Sequence, residues 1–174
     1  MTKKPEYFEL QELVCPHVFF RFGEMAWQFL DPRQLILMDW IRKRLGPVYV
    51  NNWYEDHLNS DYIKYIKERM TAKLPIIEND VPKPPQGLFD ERGLRCNICD
   101  LVLAKSKKGI AYLSPHILGM ADDFYVQGRL AEETRQYLIK NKNNIPFPIR
   151  LENGVSWVHM DCEDTGQKVY LFNP

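Results

Sequence analysis

The stretch that decides the fold runs from Pro148 to Phe172, PIRLENGVSWVHMDCEDTGQKVYLF. Three short runs in it, PIRLE, VSWVHMD and KVYLF, are rich in β-branched or aromatic residues and read as strands. EDTG, Glu163 to Gly166, supplies turn residues between the last two. In the middle run, alternation puts Val155, Trp157, His159 and Asp161 on one face and Ser156, Val158 and Met160 on the other. Upstream, DPRQLILMDWIRKRLG predicts a helix. Asp31 serves as its N-cap, Pro32 suits its first turn, Gly46 follows its last, and Leu35, Met38, Ile41 and Leu45 form its buried stripe. PVYVNN then predicts a strand, and LAEETRQYLIKNK a helix with Leu130, Thr134, Tyr137, Leu138 and Ile139 near one broad face. Helices set apart from a small, mostly antiparallel sheet predict an α+β fold.

The chain has 174 residues, 45% hydrophobic and 13% aromatic, enough for one domain, 1–174, with a substantial core. Lys plus Arg equals Asp plus Glu at 23 each, so no excess charge favours nucleic acid or an anionic membrane as a partner. No run is long and apolar enough to insert into a bilayer. MTKKPEYFEL lacks the apolar stretch of a signal peptide, which predicts a protein that is cytoplasmic when synthesised. Residues 54–92 differ in texture. HLNSDYIKYIKERM predicts an amphipathic helix with Ile63, Ile66 and Met70 inward, and the Pro-rich ENDVPKPPQGLFDERG predicts a loop. The segment reads as an insertion, either a surface excursion or an arm over a site or toward a partner.

Four cysteines, Cys15, Cys96, Cys99 and Cys162, are expected to be reduced. CNIC is a single CxxC pair. Cys15 and Cys162 could complete a four-cysteine metal site with it, or all four could be buried thiols.

SPHILGMADDF, Ser114 to Phe124, gathers a histidine, a glycine and two aspartates. Gly119 disfavours a regular helix, so the expectation is a loop carrying His116, a tight bend at Gly119 and a strand from about Ala121. That strand points Asp123 one way and Asp122 the other. With His159, two imidazole nitrogens and one carboxylate oxygen suit a tetrahedral metal whose fourth position is open.

The pattern Ser114, His116, Gly119, Ala121, Asp123, followed by Trp157-Val-His159-Met-Asp161, resembles the zinc D-Ala-D-Ala carboxypeptidase family, whose fold is shared with the hedgehog signalling domain. YFELQELV and LMDWIRKRLGPVYVNN resemble the family's opening segment and its helix-then-strand unit, with 54–92 standing outside. The resemblance implies one zinc ion held by His116, Asp123 and His159, a bacterial peptidoglycan stem peptide as substrate, and a monomeric peptidase cutting a D-amino-acid peptide bond. It also implies an upstream arginine on the scissile carbonyl or the substrate carboxylate. RGLRCN offers Arg92 and Arg95, and Arg95 sits closer to the family's pattern.

Several active members carry a carboxylate three residues before the last ligand, where this chain has Ser156. Asp161 and Glu152 are the two carboxylates that could serve instead as base. Asp161 could alternatively orient a ligand. The alternative to an enzyme is a catalytically impaired zinc module that binds peptide or docks on a phage or cell-wall assembly. A single domain with no leader also suits a phage-encoded enzyme released at lysis or carried on the virion.

Overall fold

A computed structural model describes residues 4–109 and 111–173. Among them are six α-helices and one five-stranded sheet in the order β1-β2-β4-β3-β5. In chain order these are α1 (Leu10–Leu13), α2 (Pro16–Phe22), α3 (Pro32–Leu45), β1 (Val48–Tyr49), α4 (Asp61–Thr71), α5 (Asp100–Ser106), β2 (Ala121–Val126), α6 (Ala131–Lys140), β3 (Ile149–Glu152), β4 (Val158–Asp161) and β5 (Val169–Phe172). The fold is α+β, and no helix of the described residues is long and apolar enough to cross a membrane.

The sheet is mixed, which corrects the expectation of a mostly antiparallel one. β1–β2, β2–β4 and β4–β3 pair antiparallel, but β5 pairs parallel to β3. The reason lies in β4. Asn153 and Gly154 open a hairpin connection that returns the chain beside β3, and the other edge of β4 is taken by β2. With both edges occupied, β4 has no backbone groups left for a hairpin with β5. EDTG therefore carries the chain across to the free edge of β3, where β5 runs half-exposed.

The α3 signals are all used. The Asp31 carboxylate accepts from the Arg33 N–H at 2.8 Å, Pro32 starts the helix, and Gly46 ends it at φ 96°. Leu35, Met38, Ile41 and Leu45 are buried as expected, and Leu37 and Trp40 join them. α3 and α6 pack on the sheet, and their apolar side chains meet Phe124, Leu151, Val158 and Met160 in the main core. In α6, Leu138 and Thr134 are buried, but Leu130 is exposed because it is the residue before the helix rather than part of its stripe.

Residues 54–92 build a second apolar cluster together with α2 and Trp53. Tyr62, Ile63, Ile66 and Met70 of α4 close on Trp53, with Phe19 and Phe20 of α2 packed edge-on against that ring. The segment's last residues reach the sheet: the Asp123 N–H donates to the Arg92 carbonyl at 2.7 Å.

Gly119 sits at φ 68° where the turn after His116 enters β2, and a Cβ there would collide with the Phe29 carbonyl oxygen. Positive φ and backbone contact compound each other. Gly119→Ala is expected to cost about 3 kcal/mol, read as a lowered midpoint in chemical denaturation at unchanged slope. A midpoint like the wild type's would refute it.

Candidate metal centre

β2 and β4 assemble the site. Their register sets Asp123 directly opposite His159 and Ala121 opposite Asp161. Because β4 is central, Val158 and Met160 face the core while His159 and Asp161 face the other way. His116 comes from the turn 115–119, which is closed by the Ile117 N–H on the Ser114 carbonyl and the Met120 N–H on the Pro115 carbonyl.

Three side chains converge. His116 Nε2 lies 3.3 Å from His159 Nδ1 and 3.3 Å from Asp123 Oδ2, and His159 Nδ1 lies 2.7 Å from Asp123 Oδ1. A tetrahedral zinc with nitrogen and oxygen ligands spaces its donors about 3.3 Å apart, so the trio fits a single ion. The outer nitrogens fix which atoms face inward. His116 Nδ1 donates to the Gly93 carbonyl at 2.9 Å, and His159 Nε2 lies 3.2 Å from Asp161 Oδ2. Each ring thereby turns a lone pair toward the common centre.

The electrostatics favour the ligand form at His116 and Asp123, whereas His159 is held as a cation whose proton a metal would displace. Burial lowers the His116 imidazole below its ordinary value, which favours the neutral ligand form. Burial alone would raise the Asp123 carboxyl, but hydrogen bonds from His116 and His159 overcome it and hold the group far below the usual carboxylate range. Burial works against a charge on His159 too, yet Asp123 and then Asp161 raise it to about 9.

Arg95 joins this group and Arg92 does not. Arg95 Nη2 lies 2.6 Å from Asp123 Oδ2, and its Nε donates to the Glu91 carbonyl. The Arg92 guanidinium is instead stacked between Phe89 and Tyr125, at 3.5 and 4.5 Å from the ring centres. Asp122 points away as expected: it accepts from Gln34 of α3 at 2.8 Å, and burial raises it to about 7.

The two carboxylates weighed as base occupy different surroundings. Asp161 is 0% exposed, behind His159, and Arg150 grips it through Nε and Nη2 at 2.8 and 3.0 Å. Burial would raise the Asp161 carboxyl, but His159 and Arg150 outweigh it and hold the group lower than usual. Glu152, at the end of β3, lines an open cleft of about 300 Å³ together with Arg95, His116, Asp123, Trp157 and His159. Ser156 is exposed and does not line that cleft. Two further wall groups, Ser114 Oγ and Trp157 Nε1, are buried with no hydrogen-bond partner among the described residues. Such unspent groups are what a polar ligand would satisfy.

Sequence reasoning missed several residues. Arg150 is one, though its i−2 relation to Glu152 on a predicted strand gave the signal that it faces the site side. Arg135 of α6 is another. Buried, it donates to the Trp157 and Val155 carbonyls at 2.8 and 3.0 Å and pins the entry to β4. The Gly93 carbonyl carries no sequence signal.

All four cysteines are free thiols, as expected, but their grouping is not that of a four-cysteine site. Cys15 does join Cys96 and Cys99, but the fourth member is His17, and Cys162 is buried elsewhere beside the Asp31–Arg33 pair. Among the described residues there are thus two clusters that could hold a metal ion, His116–Asp123–His159 and Cys15–His17–Cys96–Cys99. Compared with known proteins, the chain matches no family model, no curated protein and no solved structure.

Proposed function

We propose that the chain is a zinc-dependent peptidase of the D-Ala-D-Ala carboxypeptidase type, hydrolysing a D-amino-acid-containing peptide bond of bacterial peptidoglycan. The observation that carries this reading is the convergence of His116 Nε2, His159 Nδ1 and the Asp123 carboxylate on the floor of an open cleft, with both outer imidazole nitrogens anchored. Three nitrogen and oxygen donors with an open side fit zinc in a catalytic rather than a structural setting. Bound there, zinc would polarise the scissile carbonyl and lower the pKa of an attacking water.

The chain's own residues divide the remaining work. Arg95, beside Asp123 at the cleft, presents a fixed cation to the carbonyl oxygen or to the substrate's terminal carboxylate. Glu152 is the cleft carboxylate best suited to take a proton from the water and return it to the leaving amine. Asp161, committed to Arg150 and His159, is better suited to holding His159 in its ligating orientation.

Zinc-loaded protein incubated with purified sacculi is expected to release new free amine and shortened muropeptides, lost on chelation and restored by zinc. The absence of Glu or Asp at Ser156 favours one second reading, a module that binds the stem peptide without cutting it. Retention of the protein on sacculi with no shortened muropeptide by mass spectrometry would overturn the peptidase reading and leave that one.

A further inference from the structure

We propose that Cys15, His17, Cys96 and Cys99 form a second metal site, a closed four-ligand zinc site whose role is structural and which fastens the wall of the cleft. The ligands come from two places. Cys15 caps α2 and His17 lies in its first turn; Cys96 lies in the loop before α5 and Cys99 caps that helix. Their donor atoms all lie within 4.8 Å of one another. Cys96 Sγ is 3.6 Å from Cys99 Sγ, and Cys99 Sγ is 3.9 Å from His17 Nδ1. In a tetrahedral zinc site the sulfur–sulfur and sulfur–nitrogen edges are about 3.8 and 3.6 Å. The cluster already has nearly those dimensions.

Chemistry supports the same assignment. Three thiols and an imidazole are the soft donor set that selects zinc over calcium or magnesium. Four protein ligands leave no position for water, which marks a structural site. Cys15 and Cys99 are fully buried, His17 nearly so and Cys96 half-buried, so most of the cluster is closed to solvent. A Cys96–Cys99 disulfide would leave Cys15 and His17 buried beside it without a role. The Cys96 N–H points at Cys99 Sγ at 3.3 Å, a donor suited to a thiolate.

The site's place in the chain explains its use. Segments 13–15 and 93–96 lie side by side: the Leu94 N–H donates to the Leu13 carbonyl at 2.8 Å and the Cys15 N–H to the Leu94 carbonyl at 3.0 Å. A Cβ on Gly93 would run into the Leu13 carbonyl oxygen. The same 93–96 segment supplies the Gly93 carbonyl that orients His116 and the Arg95 that meets Asp123. A metal gripping Cys96 and Cys99 against Cys15 and His17 therefore holds two groups of the cleft in place.

The test is cobalt substitution of the full chain, reduced and stripped of metal by chelator. Wild type and His159→Ala should both show the intense near-ultraviolet band of cobalt–thiolate charge transfer, and Cys99→Ser should lose it. Zinc content should be about two per chain in wild type and about one in His159→Ala. The wild-type spectrum alone decides the matter, whatever the folding of Cys99→Ser. A cobalt spectrum with only nitrogen and oxygen character would overturn the proposal. So would a zinc content of about one that His159→Ala abolishes. Neither readout depends on peptidase activity.

Discussion

His159→Ala is expected to abolish metal binding at the cleft and to reduce peptidoglycan hydrolysis to background, while the chain stays folded. His159 supplies one of three protein ligands, so its loss leaves His116 and Asp123 alone. Removing a mere partner of a metal ligand commonly costs 10- to 100-fold in affinity, and removing a ligand should exceed the upper figure, about 100-fold. The fold should tolerate the change because Asp123, the charge that His159 faces, keeps Arg95 at 2.6 Å. The stability cost is therefore that of one buried hydrogen-bonded group, about 1–3 kcal/mol. Competition against a chromophoric chelator reads the affinity, circular dichroism reads the fold, and the sacculus digest reads activity. Wild-type affinity for the cleft metal in a folded His159→Ala would refute the assignment of the centre.

Local signals carried much of this site. The turn at Gly119, the strand from Ala121 and the opposed directions of Asp122 and Asp123 follow from φ requirements and two-residue alternation, and each is where those rules put it. The α3 boundaries followed from Asp31, Pro32 and Gly46 for the same reason. What failed was non-local. EDTG has turn composition, but composition does not reveal that both edges of β4 are already paired, so the parallel β3–β5 pairing was hidden. Helices α1, α2 and α5 are at most seven residues long, too short for periodicity to register. His17 illustrates the same limit. It lies 79 residues before Cys96, and only the folded contact between segments 13–15 and 93–96 makes it the fourth member of the cysteine cluster. Cys162, equally plausible on composition, is drawn away by its place after β4.

Asp161 and Glu152 were indistinguishable as bases in the sequence, and their surroundings now predict opposite phenotypes. Glu152→Gln is expected to leave the cleft metal in place and to lower kcat by about 10²–10⁴ with little change in KM. The substitution keeps the side chain's shape but removes its capacity to carry a proton. Asp161→Asn should show the reverse pattern. Its side chain is buried, it accepts from both nitrogens of the Arg150 fork, and it faces His159 Nε2. Asparagine would leave Arg150 without its buried counter-charge and offer His159 a weaker acceptor. The expected losses are about 10- to 100-fold in metal affinity and about 3 kcal/mol of stability, with activity recovering at saturating zinc. The two variants separate cleanly when zinc content and turnover are measured on the same samples. Should Glu152→Gln turn over like the wild type while zinc-saturated Asp161→Asn stays inactive, the proton-transfer role would belong to Asp161 and the assignment argued from the cleft would be wrong.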